Sequence, residues 1–280
     1  MGAEGVGHTG SLLGQTAVMA DEVLYEVRDG VATLTLNRPD RLNAQTAAMF
    51  EVALGHLDRA ASDRSVRVVV MTGAGRAFSA GGDLSSMTET DGEPAPRPAR
   101  VRALRELTRT SQMLHEMPKV TIAAVNGACA GGGFSWAMAC DLRYAAASAK
   151  FTTAFVNAGL SGDFGLTWFL PRTVGSARAR ELFFFGDVFG AAEAKEYGIV
   201  NDVFADDRLL AEVGARAARL VEKSPRALAG IKANLNDGGN LDLGRHLEIE
   251  SDRLISLIGS ADNREAAAAF LEKRKPNFRD

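Results

Sequence analysis

Two glycine-rich stretches each follow an apolar run. Gly73-Ala-Gly-Arg-Ala-Phe-Ser-Ala-Gly-Gly-Asp83 comes after 66–71, and Asn126-Gly-Ala-Cys-Ala-Gly-Gly-Gly133 after 120–125. Read singly, either is a tight turn. Together they offer more, because glycine lets a backbone approach a ligand and a helix start presents unpaired N–H groups with partial positive charge. Two such turns on neighbouring strands can aim two N–H donors at one oxygen. That is an oxyanion hole, suited to a carbonyl that gains negative charge. Other glycine chemistries fit poorly. Phe78 takes the third glycine position of a dinucleotide fingerprint, and no Lys-Ser or Lys-Thr follows Gly133 as a P-loop requires. Gly133-Phe-Ser-Trp-Ala137 nearly forms a nucleophile elbow, but Ala137 replaces its last glycine and only His246 lies downstream as a base.

Acids are scarce between Lys119 and Arg172, where Asp141 and Asp163 are the two carboxylates. Asp163, in Leu160-Ser-Gly-Asp-Phe-Gly-Leu-Thr167, precedes a helical stretch with Trp168 and Phe169 and would suit an N-cap. Cys129 and Cys140 sit in apolar surroundings, where thiols behave as buried hydrophobes. Two cysteines exclude a disulfide framework. The four histidines (His8, His56, His115, His246) show no ligand spacing and read as surface residues, so no metal is implied.

The elements that must hold these groups alternate. Residues 23–27 and 31–36 read as strands joined by an Asp29-Gly30 hairpin turn. Residues 46–61 carry helical spacing, and 66–71 is a continuous apolar run typical of a buried parallel strand. The acids and prolines of 85–98 read as a surface loop, followed by a helix over 100–116. Then come a strand over 120–125, an apolar helix opened by Gly131-Gly-Gly133, and a strand over 142–147. Helices follow over 207–222, 225–236, 241–258 and 262–273. The pattern predicts an α/β fold with parallel sheets, divided into a loose arm (1–20), a core (21–205) and a helical region (206–280).

Composition narrows the class. The 280 residues are 46% hydrophobic and 24% charged, with a net charge of −3. This is ordinary globular usage with no global footprint for nucleic acid or anionic membrane. No apolar run reaches the length of a membrane span. The first 27 residues lack Lys and Arg, which argues against targeting segments and makes a cytoplasmic location the expectation.

Six stretches carry a resemblance: Asn37-Arg-Pro-Asp-Arg-Leu-Asn-Ala44, Arg76-Ala-Phe-Ser-Ala-Gly-Gly-Asp-Leu84, Ile122-Ala-Ala-Val-Asn-Gly127, Gly131-Gly-Gly133, Ala139-Cys-Asp-Leu142 and Phe270-Leu-Glu-Lys-Arg-Lys275. In this order the chain resembles the crotonase (enoyl-CoA hydratase/isomerase) superfamily over 23–280. The resemblance implies a spiral of β-β-α turns, with C-terminal helices that build trimers and often hexamers. It implies an acyl-CoA thioester as ligand, coenzyme A being part of the substrate and no other cofactor being needed. By the same resemblance Ala80 and Gly132 supply the two N–H donors, with Gly81, Asp83 and Leu84 beside the first. Arg41, Leu42 and Ala44 flank the CoA moiety. Phe270 and Lys273 complete a neighbouring subunit's site.

The resemblance also locates the two glutamates with which hydratases of the superfamily handle water. They fall at Ser135 and Phe155, neither acidic. Asp141 falls at a structural position, whereas Asp163 falls in the acyl-pocket wall, where some relatives use an acid for chemistry. Walled by Phe155, Phe164 and Trp168, Asp163 would be desolvated and its pKa raised toward that of a proton shuttle. The expected activity is therefore enoyl-CoA isomerisation with one acid. The alternatives are enoyl-CoA hydration and a catalytically silent acyl-CoA-binding paralogue.

Overall fold

A computed structural model describes residues 22–83 and 95–278. The predicted arm (1–20) and Leu84 lie outside the described residues, as does most of the predicted 85–98 loop. β1 (Val23–Arg28) and β2 (Val31–Leu36) form the expected antiparallel hairpin. α1 (Ala47–Ser62) begins at Thr46, whose side chain accepts from the Met49 N–H as an N-cap. From there the chain repeats one unit three times: β3 (Val68–Gly73), β4 (Ala77–Ser79), α2 (Arg97–Glu116); β5 (Val120–Val125), β6 (Ala128–Ala130), α3 (Gly131–Ala139); β7 (Leu142–Ala146), β8 (Lys150–Thr152), α4 (Leu166–Val174). These are the β-β-α turns of a spiral.

Each turn sends a long strand to one sheet and a short strand to another. The larger sheet has the order β1-β2-β3-β5-β7-β10, with β10 at Asp202–Phe204, and is parallel from β2 onward. The smaller sheet runs β4-β6-β8-β9, with β9 at Phe189–Gly190. β3 and β5 are buried at every position, which is why they read as unbroken apolar runs rather than alternating ones. α5 (Ser176–Phe185) and α6 (Ala191–Glu196) link the second sheet to β10.

Two expectations shift. The α2 helix starts at Arg97, earlier than predicted, because Pro98 occupies its first turn, where a missing N–H costs nothing. The short strands β4, β6, β8 and β9 were not foreseen; two or three residues are too few to show a period. The C-terminal helices are α7 (Leu209–Val221), α8 (Pro225–Gly238), α9 (Leu243–Leu257) and α10 (Ala261–Leu271). α7 buries Leu209, Val213 and Ala217 against the larger sheet, whereas α9 has no buried residue. No helix among the described residues is long and apolar enough to cross a membrane.

Candidate active site

Two asparagines pin the first glycine turn. Asn43, held in a left-handed conformation, donates through Nδ2 to the carbonyls of Ala74 (3.0 Å) and Ala77 (2.8 Å). Asn126 donates to the carbonyls of Gly73 (2.8 Å) and Gly75 (2.9 Å), and its Oδ1 accepts from the Gly73 N–H (3.1 Å). The Arg38 guanidinium pairs with Asp83 (3.0 Å) and donates to the Ala44 carbonyl (2.6 Å). Two residues expected beside coenzyme A are thus engaged in holding the turn: Asp83 by its carboxylate and Ala44 by its carbonyl. Arg41 is exposed, and its side chain is free to meet a ligand.

The second turn lies directly against the first. β4 and β6 pair in parallel, Ala77 with Ala128 and Ser79 with Cys129. Gly81 has φ +90°, and a Cβ there would stand 2.9 Å from the Ala130 carbonyl oxygen, so only glycine permits this approach. Gly132 is the second residue of α3, where N–H groups have no partner within the helix. Its N–H has no partner among the described residues.

Ala80 is not the free donor expected of it. Its N–H donates to the Leu42 carbonyl at 2.9 Å, and the Gly81 N–H to Ser79 Oγ at 3.2 Å. Leu42 and Ala80 therefore tie the turn together. The free donor of this stretch is Gly82. The bridge to Gln45 uses the Gly81 carbonyl and the Asp83 N–H, which leaves the Gly82 N–H pointing the other way without a partner among the described residues. Gly82 in the first turn and Gly132 in the second are thus donors without a partner among the described residues.

The loop that carries Asp163 packs on the start of α3. The Asp163 backbone carbonyl accepts from Ser135 Oγ (3.1 Å), and Ser135 Oγ also reaches the Gly131 carbonyl (3.1 Å). Ser135, fully buried, thereby fastens the Asp163 loop to the first turn of α3. The next residue, Phe164, stacks on Phe50 (4.5 Å) and places its ring edge 3.8 Å from where a Gly132 Cβ would lie. Phe155 is buried, with ring atoms 3.9 Å from the corresponding points at Gly131 and Gly162. Asp163 does not cap α4: Gly165 holds the N-cap position, with no side-chain hydrogen bond. Asp163 Oδ1 is buried and unpartnered, and burial pushes the carboxyl pKa up to about 6.

Trp168 is displaced from the expected wall. Its indole lies under the Arg172 guanidinium (3.8 Å), against His115 (5.3 Å) and Phe169 (4.9 Å). It lines a cavity of ≈ 620 Å³ shared with Lys232 and Leu235 of α8. The aromatic residues against the glycines of this region are Phe155 and Phe164.

Asp141 is fully engaged, at the opposite end of α3. It pairs with Lys232 (2.9 Å), only 6% exposed, and accepts from the N–H (2.8 Å) and hydroxyl (3.1 Å) of Thr121. The Cys129 and Cys140 thiols are buried and held protonated, Cys140 with its pKa raised to about 12 by desolvation. His56 and His115 are half-buried rather than surface residues, one stacked on Tyr25 and the other packed on Trp168 and Phe169. Burial lowers both pKa values. His8 lies outside the described residues. No cluster of ligating side chains among the described residues has a metal-site arrangement. Phe270 is 83% exposed and Lys273 is exposed, both on the outer surface at the end of α10.

Sequence reasoning missed Gln45. It is 3% exposed, and neither side-chain amide atom has a hydrogen-bond partner. A glutamine before a helix carries no signal of burial; the backbone bridge to Gly82 puts it there.

The wider likeness agrees with this geometry. The enoyl-CoA hydratase/isomerase family profile matches residues 26–280. The chain is 39% identical to 1,2-epoxyphenylacetyl-CoA isomerase of Escherichia coli, over 93% of this chain and 99% of that protein. It is 35% identical to crotonyl-CoA hydratase of Syntrophomonas wolfei, over 92% and 98%. A crystal structure of an enoyl-CoA hydratase subunit from Geobacillus kaustophilus superposes with a TM-score of 0.84 at 35% identity, covering 92% of this chain and 98% of that one. With both glycine turns, the β-β-α spiral and a similarity that runs nearly end to end in agreement, the chain belongs to the enoyl-CoA hydratase/isomerase family of the crotonase superfamily.

Proposed function

We propose that this enzyme moves the double bond of an enoyl-CoA thioester, with Asp163 as its one proton carrier. The carrying observation is the buried, unpartnered Asp163 Oδ1, on a loop that Ser135 ties to the glycine start of α3. The Asp163 carboxylate removes an α-proton from a 3-enoyl thioester. The electron pair passes into the thioester oxygen, which accepts from the Gly82 and Gly132 N–H groups. Protonated Asp163 then returns the proton to the γ-carbon, giving the 2-enoyl thioester. One acid suffices, because the substrate gets its proton back. A pKa of about 6 suits both halves of the cycle near neutral pH.

Hydration, named for one of the relatives above, makes a different demand: two acid–base groups around one water. Ser135 spends its hydroxyl on backbone carbonyls and Phe155 has no acid–base group. A silent binding paralogue would have no reason to keep a buried carboxyl unpaired at a cost in stability. In this reading exposed Arg41 meets the CoA phosphates, and Phe270 and Lys273 reach the site of a neighbouring subunit in a trimer or hexamer.

The test is a paired assay of 3-enoyl-CoA isomerisation and 2-enoyl-CoA hydration on wild type and Asp163→Asn. Isomerisation should dominate in the wild type and collapse in the variant. Hydration that exceeds isomerisation and survives Asp163→Asn would overturn the reading.

A further inference from the structure

We infer that Gln45 is a specificity residue that selects acyl groups bearing a hydroxyl, an inference that rests on the enoyl-CoA reading above and names its substrate class. Gln45 is locked into the rim of the oxyanion hole. Its N–H donates to the Gly81 carbonyl (2.7 Å), and its carbonyl accepts from the Asp83 N–H (2.9 Å). The backbone is therefore paired to the residues on either side of the donor Gly82. Its side chain crosses to the other donor: a Cβ added to Gly132 would collide with Gln45 Oε1, and the Phe164 ring lies beside the same point. The Gln45 backbone thus meets the first turn and its carboxamide the second, at the point where Phe164, next to Asp163, also packs.

Neither atom of that carboxamide is satisfied, although the residue is 3% exposed. An unpaired buried amide is costly, and buried polar groups in folded proteins nearly always find a partner. The ligand supplies the partner here. The thioester oxygen itself fits badly: it would use the Nε2 donor but leave Oε1 buried, unpaired and facing the developing negative charge. A hydroxyl on the acyl chain both gives and takes a hydrogen bond, so it satisfies Oε1 and Nε2 together, whichever way the amide is turned. An unsubstituted chain leaves both atoms stranded, and a site built to pair a substrate hydroxyl rejects the analogue that lacks it.

Calorimetric titration with hexanoyl-CoA and its β-, γ- and δ-hydroxy analogues tests this without turnover of a double bond. Wild type should bind one hydroxy analogue about 10- to 100-fold tighter than hexanoyl-CoA, the usual effect of pairing a buried polar group. Gln45→Met, an apolar side chain of similar length, should bring that ratio close to one by weakening the hydroxy analogue, with a melting temperature equal to or above wild type. Gln45→Asn, which keeps the amide but draws it back, should also lose the preference. Wild type that binds all four ligands alike would overturn the inference, as would a Gln45→Met variant that weakens them all equally. Asp163→Asn separates the two readings: it should abolish isomerisation and keep the hydroxyl preference. If isomerisation survives in it while the preference holds, the proton-carrier assignment fails and the role of Gln45 stands.

Discussion

The two ends of α3 differ in one respect that matters. At its C-terminal end, Asp141, Thr121 and Lys232 satisfy one another, and Lys232 also donates to the carbonyls of Leu114 (3.0 Å) and Lys119 (3.0 Å). At its N-terminal end, Gly132 N–H, Gly82 N–H, the Gln45 amide and Asp163 Oδ1 have no partners among the described residues. Both regions are interior and polar. Where polar groups are paired, polarity ties elements together; where several near one helix end are left open, the proposed function gives them a ligand. The helix itself, apolar and fully buried, is the rigid spacer between the two.

Substitutions at each end should fail in different ways. The largest effect is expected for Asp163→Asn, with isomerase turnover down about 1,000-fold, within the range for loss of a positioned acid–base group. Stability should move the other way. The folded-state pKa of Asp163 lies above its unfolded value, so the native state binds the extra proton between about pH 4 and 6, and stability is lost as pH rises through that window. Above it, wild type carries the full cost of a buried charge. Asp163→Asn should therefore be more stable at pH 8 by about 1–2 kcal/mol, discounted for partial exposure, and the gap should close below pH 4. Paired denaturant titrations at the two pH values check this.

Gly82→Pro deletes a donor without adding charge and should lower turnover about 100-fold or more, while Ala80→Pro should instead lower stability by breaking the bond to Leu42. A variant at Gly82 that folds and works normally would return the hole assignment to Ala80. At the other end, Lys232→Met strands the Asp141 carboxylate. It should cost about 3 kcal/mol in denaturant titration while leaving kcat of the folded fraction within about 3-fold of wild type. The smallest effect belongs to Ser135→Ala, which releases the Asp163 carbonyl and should cost about 1 kcal/mol, with a several-fold fall in kcat.

Much of the fold was legible in the chain. Unbroken apolar runs at β3 and β5 announced buried parallel strands, and Asp29-Gly30 announced the hairpin. The site was legible in part. Glycine spacing pointed to the two turns, and the shortage of acids pointed to Asp163. Which N–H stays free depends on the bridge between Gln45 and Gly82, a contact between segments far apart in sequence, so the resemblance alone points to Ala80. Trp168 was misplaced for a similar reason, because the side of α4 from which it projects is set by packing on α2 and α8. The outward face of the tail carries Leu235, Leu243, Ile255, Phe270 and Leu271, all more than half exposed. That apolar surface is what the predicted assembly would cover.

In the proposed cycle, Asp163 is kept unpaired and desolvated so that it can carry a proton. A carbon-13 titration of its carboxyl in the free enzyme, assigned by comparison with Asp163→Asn, reads this directly. A pKa of about 6 is expected, with kcat/KM rising to a plateau through the same pH. A value at or below 4, the ordinary range of an exposed or paired aspartate, would contradict it.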